Sequence, residues 1–197
     1  MFVTLEGIDG SGKTTQAELL ARALGEDTVL VREPGGTAAS ERIRELVADP
    51  DVALDPVAEL LLFCAARAQL VAEVIRPAID AGRDVVCDRF SDSTAAYQGA
   101  ARGVSVEVAV SVNVVATGRL TPDVTILLRI DPERAAERGL GDDRFEREGV
   151  EFQRRVADAY DRLARSDPGR ITVVDADGSV QEVHSRVMEA VDTGHDE

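Results

Sequence analysis

Apolar residues in this chain fall into two alternating patterns, short continuous runs and longer stretches in which apolar positions recur every three or four residues. The short runs predict buried strands at residues 2–6, 28–32, 84–88, 124–130 and 171–175. A helical or loop-plus-helix segment follows each strand, which is typical of parallel strands with helices on both faces of the sheet. The pattern therefore predicts an α/β fold built on a five-stranded parallel sheet.

Helical spacing covers residues 15–24, 38–49, 56–82, 104–116 and 180–197, and the third of these segments is unusually long. No stretch rich in proline, glycine or serine divides the chain, so we expect a single domain over residues 1–197. No apolar run approaches the roughly 18 residues that cross a bilayer, and the chain begins with a core strand rather than a signal segment. The sequence therefore predicts a cytoplasmic protein without a membrane partner.

The composition is strongly acidic, with 37 acidic side chains against 22 basic ones, a net charge of −15, and Lys13 as the only lysine. Such a surface repels polyanions, which argues against a nucleic-acid partner. The skew resembles that of proteins from cells with molar internal salt, where the Debye length falls to about 3 Å, and salt adaptation is our hypothesis. Cys64 and Cys87 lie in apolar runs, which favours buried thiols over a disulfide or a metal site.

The single lysine lies in a glycine-rich segment between the first strand and the first helix. The segment matches the phosphate-binding loop pattern through Gly7, Ile8, Asp9, Gly10, Ser11, Gly12, Lys13 and Thr14, with Thr15 next in the helix. Its backbone N–H groups would bind phosphates, Lys13 would reach the β- and γ-phosphates, and the Thr14 hydroxyl would bind Mg²⁺. A chance glycine-rich turn is the alternative, but the order of strand, loop and helix favours a site for ATP or GTP.

Two further polar segments end strands and should meet the phosphate loop at the carboxyl edge of the sheet. Residues 32–36, Arg-Glu-Pro-Gly-Gly, follow the second strand, and Asp88-Arg89 ends the third. Asp88 is placed to be the acidic partner of Mg²⁺, with Arg89 beside the phosphates. On local chemistry alone, Asp88 could instead cap the next helix and Arg89 could pair with a surface acid.

Candidate groups for a nucleoside follow. Phe63 and Arg67 share one face of the long helix at the edge of its apolar stripe, where they could bind a base, although periodicity alone favours Phe63 as core. Residues 93–99 are small and polar with one aromatic, which suits a sugar and base.

Residues 138–149 carry arginines and glycines, as a lid that excludes water during phosphoryl transfer does, and a solvated loop is the alternative.

Together these motifs resemble those of the thymidylate kinase family. The resemblance rests on residues 32–37, 62–69 and 88–99 behind the phosphate loop, and it extends from residue 2 to about residue 175. It implies a P-loop nucleoside-monophosphate kinase fold with three α/β/α layers, and transfer of the γ-phosphoryl group of ATP to dTMP with Mg²⁺. It also implies a homodimer, for which the apolar helices at 57–75 and 104–116 are the candidate interface.

Matching positions in the family imply individual roles. Phe63 would stack on thymine, Arg67 would hydrogen-bond its ring oxygen, and Tyr97 would occupy the space of a ribose 2′-hydroxyl. The side chains that would line the base are Ser93, Thr94 and Gln98. Arg44 and Arg89 would clamp the dTMP phosphate, Asp9 would touch the sugar 3′-hydroxyl or orient Arg44, and Glu33 would lie near the acceptor and the metal.

The resemblance also divides the family by its catalytic arginine. Gly10 assigns this chain to the members that supply the arginine from the lid rather than from the phosphate loop. Arg144 aligns best, Arg138 is the second candidate, and Arg147 stays open. A dTMP phosphate oxygen is already an anionic nucleophile, so catalysis would be positioning and charge stabilisation by Lys13, Arg89, Mg²⁺ and the lid arginine.

Other function classes fit parts of this pattern. Another nucleotide kinase or a deoxynucleoside kinase shares the loop, the Asp-Arg pair and the lid, but Arg44 and residues 97–99 favour thymidine monophosphate as acceptor. A GTP-binding switch protein shares the loop, but it recognises guanine with an Asn-Lys-x-Asp element, and Lys13 is the only lysine. The pattern does not rank dTMP against dUMP, because pocket shape senses the thymine methyl group.

Overall fold

The structure, a computed structural model, describes residues 1–138, 144–145 and 148–194. One parallel sheet has the strand order β2-β3-β1-β4-β5, with β1 at its centre. The strands are β1 Phe2–Glu6, β2 Val29–Arg32, β3 Val85–Asp88, β4 Val124–Arg129 and β5 Ile171–Asp175. The five predicted strands are therefore confirmed, and their ends differ from the prediction by at most one residue.

Helices connect the strands in the predicted alternation. They are α1 Lys13–Leu24, α2 Ala38–Ala48, α3 Pro56–Leu70, α4 Arg76–Asp80, α5 Ser91–Thr94, α6 Val106–Thr117, α7 Pro132–Glu137, α8 Gly149–Ser166 and α9 Val180–Gly194. A π-helical segment, Val71–Ile75, joins α3 to α4, so the long predicted helix is continuous but has one wider turn. A second π-helical segment, Ala95–Ala101, extends α5. In the described part of the chain, no helix has both the length and the apolar character needed to span a membrane.

Helix starts are set by side chains that accept hydrogen bonds from otherwise unpaired backbone N–H groups. Thr37 caps α2 by accepting from the Ser40 N–H group at 3.1 Å, and Asp55 caps α3 by accepting from Val57 at 2.9 Å. Pro56 then opens α3, at a position where a missing N–H group costs nothing. These caps fix where the cavity-facing residues of α2 and α3 lie relative to the sheet.

The two larger apolar clusters of the core lie on opposite sides of the sheet, and a smaller third cluster lies between α3 and α6. Successive β1 residues point to opposite faces, so Phe2 packs with one layer while Val3 and Leu5 pack with the other. All three side chains are buried, as expected for a central strand covered on both faces. This three-layer arrangement brings the carboxyl ends of the strands to one edge, where the candidate site lies.

Candidate active site

A cavity of about 830 Å³ opens at the carboxyl edge of the sheet. The predicted site residues that line it are Asp9, Gly10, Ser11, Gly12, Lys13, Thr14, Thr15, Glu33, Arg44, Phe63, Asp88, Arg89, Ser93, Thr94, Tyr97, Gln98 and Arg138. Gly7, Ile8, Arg67 and Arg144 are not among the described residues of its wall. Segments that are far apart in sequence thus converge on one crevice, as the ends of parallel strands require.

The phosphate loop needs its glycines because the backbone around it is closely packed. Gly10 has φ +76°, and a Cβ atom there would lie 2.5 Å from the Ala135 carbonyl oxygen of α7. Gly7 has φ +144°, and a Cβ atom there would lie 2.6 Å from the Leu128 carbonyl oxygen. Both backbone conformations and both contacts exclude a side chain. The loop is therefore pressed against α7, and α1 points its positive end toward the cavity.

Lys13 folds back onto this loop. Its ammonium group donates to the Ile8 carbonyl at 2.7 Å and to the Ser11 hydroxyl at 3.2 Å, and the side chain is buried. Burial, assisted by the positive charge of Arg89, lowers the pKa of Lys13 to about 8. A polyphosphate in the loop would supply the negative charge that the buried ammonium group needs.

Thr14 and Asp88 form the pair of oxygen ligands that the sequence predicts for a metal. The Thr14 hydroxyl donates to Asp88 Oδ2 at 2.6 Å. The other carboxylate oxygen, Oδ1, is buried and has no hydrogen-bond partner in the described part of the chain. Asp88 does not cap α5, because Phe90 is the first flanking residue of that helix and makes no side-chain cap. A hydroxyl oxygen beside an unpaired carboxylate oxygen fits a hard cation such as Mg²⁺.

Arg89 lies across the floor of the cavity. It has a left-handed backbone with φ 70°, and its guanidinium group forms an ion pair with Asp9. It also donates to the Gly7 carbonyl at 3.1 Å and to the Ser93 hydroxyl at 3.2 Å, and lies 5.0 Å from the centre of the Tyr97 ring. The Arg89 side chain is therefore fixed by buried partners rather than by a surface acid.

Asp9 is held between Arg89 and Gln153. Gln153 donates to Asp9 Oδ2 at 2.8 Å from α8. Burial would raise the pKa of Asp9, but the positive charges of Arg89 and Lys13 outweigh it, and the net shift is downward. Arg44 donates instead to the Pro34 carbonyl at 3.3 Å. Asp9 is thus oriented by Arg89 and Gln153.

Beneath Arg89, Glu6 at the end of β1 organises the turn after β3. Its fully buried carboxylate accepts hydrogen bonds from the Phe90 N–H group at 2.7 Å, the Ser93 hydroxyl at 2.5 Å and the Tyr160 hydroxyl at 2.7 Å. Burial, together with the nearby negative charge of Asp92, raises the pKa of Glu6 to about 7. The sequence analysis did not identify this residue.

Three aromatic rings surround the far end of the cavity. The Phe63 ring is only partly buried and lines the cavity, so it is a wall residue rather than part of the core. Phe145 from the predicted lid segment lies edge-on to Phe63 with ring centres 5.6 Å apart, and Tyr97 is 6.5 Å from Phe145. This aromatic end suits the flat face of a base.

Arg67 lies behind the cavity wall and is almost completely buried. Four of its N–H groups donate hydrogen bonds, to Glu33 at 2.7 Å, the Thr94 hydroxyl at 2.8 Å, the Phe90 carbonyl at 2.9 Å and the Asn113 side-chain oxygen, and Nη2 also lies 2.5 Å from the same Glu33 oxygen. Burial raises the pKa of Glu33 and Arg67 opposes that rise. A direct bond from Arg67 to a thymine oxygen stays a prediction, and it requires the exchange of one of these partners.

Of the two described arginines in the predicted lid segment, Arg138 lines the cavity and Arg144 does not. Arg138 donates to the Gly10 carbonyl at 3.3 Å and to the Ala176 carbonyl at 2.9 Å, so it lies against the phosphate loop. Arg144 donates to the Val47 carbonyl at 2.9 Å and pairs with Glu59 at 2.7 Å. Arg147 and much of the predicted 138–149 segment lie outside the described residues.

Arg129, at the end of β4, has a simple surface role in the described chain. It pairs with Asp161 of α8 at 2.9 Å, and both side chains are at least one-third exposed. Pairs of this kind contribute little to stability. Arg129 therefore forms a surface ion pair and does not alter the candidate active site.

Four polar residues at or behind the site escaped the sequence analysis: Glu6, Glu59, Asn113 and Gln153. Glu59 and Asn113 are buried, and each interrupts an apolar stretch of sequence in α3 or α6. A single polar residue inside an apolar run was the available signal, because a buried polar group needs a specific partner. Gln153 lies in a polar helix and gave no such signal.

Comparison with known proteins gives one consistent family. The family model described as thymidylate kinase matches residues 5–187. The chain is 45% identical over 203 residues to a thymidylate kinase of Deinococcus radiodurans, covering 99% of this chain and 98% of that protein. It is 46% identical over 199 residues to a thymidylate kinase of Syntrophotalea carbinolica, covering 94% and 92%. The crystal structure of thymidylate kinase from Ehrlichia chaffeensis superposes with a TM-score of 0.83 at 36% identity, covering 98% of both chains.

Proposed function

Because the chain belongs to the thymidylate kinase family, we propose that it transfers the γ-phosphoryl group of ATP to dTMP, giving dTDP and ADP. The observation that best supports this proposal is the single cavity that joins the phosphate loop to an aromatic acceptor end. Lys13 marks the donor end and Phe63 the acceptor end, with Arg89 between them. One cavity with two such ends suits direct transfer between two nucleotides.

At the donor end, the phosphates of ATP would lie on the loop N–H groups and the start of α1, with Lys13 on the β- and γ-phosphates. Thr14 and Asp88 would hold Mg²⁺, and the unpaired oxygen of Asp88 supports this assignment. A bound Mg²⁺ neutralises charge on the phosphate oxygens. The loop and Lys13 keep the donor in line with the acceptor.

At the acceptor end, Arg44 and Arg89 would bind the dTMP phosphate, and Phe63 would stack on thymine. The Arg89 guanidinium group lies over the Tyr97 ring and donates to its hydroxyl group. In this position Tyr97 would exclude a 2′-hydroxyl group and favour a deoxyribose. Asp9, which is held by Arg89 and Gln153, would contact the sugar. The attacking dTMP oxygen is already anionic, so these groups position and neutralise charge without acting as a base.

The position of Arg138 supports it as the lid arginine that neutralises charge on the transferring phosphoryl group. Its guanidinium group already contacts the Gly10 carbonyl, and it lines the cavity at the donor end. Arg144, the better alignment candidate, contacts Glu59 and Val47 at the other end. Its role would then be on the acceptor side.

We also propose that the chain forms a homodimer through α3 and α6. Exposed apolar side chains occur on both helices: Val57 is 50% exposed, Leu61 52%, Val108 47% and Val115 81%. The two helices pack against each other, so these side chains share one region of the surface. A second copy covering this region would remove it from water.

Salt adaptation remains part of the proposal for the cell in which the enzyme works. The net charge of −15 on 197 residues and the near absence of lysine support it. Cys64 and Cys87 are free and buried, which agrees with a reducing compartment such as the cytoplasm.

The decisive experiment is a coupled ADP-release assay with ATP and Mg²⁺ in molar KCl. The acceptors are dTMP, dUMP, ribothymidine monophosphate, thymidine and none. We expect the highest turnover with dTMP, less with the ribonucleotide and none with thymidine. Turnover with thymidine would instead identify a nucleoside kinase, and ADP release without any acceptor would favour a nucleotide-hydrolysing switch.

A further inference from the structure

Glu59 is a buried acid next to the acceptor end, and the proposed chemistry gives it no task. It is 1% exposed and lies on α3. Its oxygen Oε1 accepts from the Gln98 side-chain amide at 2.8 Å and from Arg102 at 3.3 Å, and Oε2 pairs with Arg144 at 2.7 Å. A buried carboxylate is costly unless it is paired, so its position calls for an explanation.

The contact with Glu59 decides which end of the Gln98 amide faces the cavity. A carboxylate only accepts hydrogen bonds, so the NH₂ group of Gln98 must point to Glu59. The carbonyl oxygen Oε1 is then the end left for a ligand, and no group in the described part of the chain donates to it. Gln98 is buried and lines the cavity. Glu59 therefore makes Gln98 a hydrogen-bond acceptor toward the ligand.

Thr94, one turn earlier on the same helical segment, has the opposite character. Its hydroxyl oxygen accepts a hydrogen bond from Arg67 at 2.8 Å, and an arginine only donates. The hydroxyl proton of Thr94 therefore points elsewhere, and Thr94 also lines the cavity. With that proton directed into the cavity, the wall would present a donor from Thr94 beside an acceptor from Gln98.

A donor beside an acceptor matches one kind of pyrimidine edge. Thymine and uracil have an N3–H donor between two carbonyl acceptors, so either half of the edge pairs with both wall groups. In cytosine, N3 is unprotonated and accepts hydrogen bonds, and the neighbouring amino group donates them. In the same position, the cytosine amino group would therefore face the Thr94 donor, and N3 would face the Gln98 acceptor. A polar site that mismatches its ligand leaves buried groups unpaired, and this discriminates strongly.

We propose that Glu59 is a positioning residue for base specificity, which holds the Gln98 amide so that Gln98 and Thr94 accept thymine or uracil and reject cytosine. This proposal rests on the proposed function, because it assumes a pyrimidine monophosphate as acceptor. It adds a residue that touches no substrate and acts through Gln98.

The test compares kcat/KM for dTMP and dCMP, with saturating ATP, in the wild type and in Glu59→Gln. A glutamine at this position can donate as well as accept, so the Gln98 amide is free to rotate and offer its NH₂ group to N3 of cytosine. We expect the dTMP-to-dCMP ratio to fall at least about 10-fold, with an absolute rise of kcat/KM for dCMP. General structural damage would lower the values for both substrates.

The matched control is Glu148→Gln, which makes the same change in the acid that pairs with Arg102 but does not contact Gln98. We expect it to keep the wild-type ratio. Gln98→Leu should lower the ratio by itself, and in that background Glu59→Gln should cause no further change. A ratio that Gln98→Leu leaves intact would overturn the proposal even if Glu59→Gln does not fold.

The outcomes separate this proposal from the proposed function. A wild type that turns over dTMP, with an unchanged ratio in Glu59→Gln, overturns the positioning role alone. A wild type without dTMP turnover overturns the proposed function, and the positioning role with it. A further loss in the double variant would mean that Glu59 acts through Arg144 or Arg102 rather than through Gln98.

Discussion

At the scale of single residues, burial shifts the pKa values of two groups in this site in opposite directions. It lowers the pKa of Lys13 to about 8, and it raises the pKa of Glu6 to about 7. In both residues the charged form is the one that burial disfavours. The charged form of Lys13 would be stabilised by a bound nucleotide, whereas Glu6 is surrounded by hydrogen-bond donors that belong to the protein. The ligand-free protein therefore bears a stability cost at Lys13 that phosphate binding would relieve.

This cost can be measured through the pH dependence of unfolding. The pKa of Lys13 is about 8 in the folded protein and 10.5 in an ordinary lysine, so between these values the unfolded chain binds more protons. The free energy of unfolding should therefore rise with pH across this window, and the full cost, roughly 3 kcal/mol, is present at pH 7. We expect Lys13→Met to be more stable than the wild type at pH 7 by about 1–3 kcal/mol, and to lack this rise.

Urea unfolding of the ligand-free protein at pH 7, 8, 9 and 10 in constant molar KCl measures this effect. Arg22→Met is the matched control, because it removes a positive charge from an exposed position of the same helix. The control should show the same pH dependence as the wild type. If Lys13→Met is less stable than the wild type at pH 7, the hydrogen bonds of Lys13 outweigh its burial.

At the scale of elements, the packing of α7 against the phosphate loop bears on which arginine of the predicted lid would meet the donor in the proposed reaction. The helix packs against Gly10, and Arg138 follows directly after its last turn. The carbonyl of Ala135 occupies the space that a Cβ atom at Gly10 would need, so loop and helix are in direct contact. Arg138 is therefore held against the phosphate loop, and in the proposed reaction it would lie near the γ-phosphate.

From this arrangement we expect Arg138→Ala to lower kcat by about 10²–10³-fold with little change in the KM for dTMP. Arg144→Ala should have the smaller effect on kcat and should raise the KM for dTMP, because Arg144 packs on the ring of Phe145, which lines the acceptor end. Steady-state kinetics with both substrates varied measures both effects. Arg134→Ala, an exposed α7 residue that pairs with Asp177, is the control and should leave both constants unchanged. A larger loss of kcat in Arg144→Ala would return the catalytic role to that residue.

The sequence was sufficient to predict elements with a strong local signal. Continuous apolar runs located the five strands, and the glycine pattern located the phosphate loop at the edge where parallel strands end. The resemblance to a family then supplied candidate roles for Phe63 and Gln98.

What could not be predicted depends on contacts between distant elements. Glu59 meets Gln98 across 39 positions, and Asp9 meets Gln153 across 144. Spacing within one helix carries no information about such partners. The four hydrogen bonds of Arg67 likewise go to residues that are distant in sequence, Glu33, Phe90, Thr94 and Asn113, and no local pattern shows them.

At the scale of the whole molecule, the exposed apolar region on α3 and α6 predicts the oligomeric state. We expect the wild type to be a dimer and Val115→Asp to be a monomer, because a carboxylate at the centre of an apolar interface must be desolvated without a partner. Sedimentation velocity at several protein concentrations in molar KCl distinguishes the two states. Val180→Asp, at an exposed apolar position of α9, is the control and should stay dimeric. A monomeric wild type would contradict the assignment of this region as an interface.

The charge of the whole molecule makes a separate prediction about salt. With a net charge of −15, self-repulsion destabilises the compact state at low ionic strength, and molar KCl screens it. We expect Tm to rise by several degrees, roughly 5–15 °C, between 0.1 and 2 M KCl.

A variant with four exposed acids neutralised, Glu26→Gln, Asp27→Asn, Glu45→Gln and Asp51→Asn, should be more stable than the wild type at 0.1 M and should gain less from added salt. Sucrose at matched water activity is the control, since it favours compact states without screening charge. If sucrose reproduces the full effect, or if the variant gains as much from KCl as the wild type, then repulsion between acids is not what salt relieves in this protein.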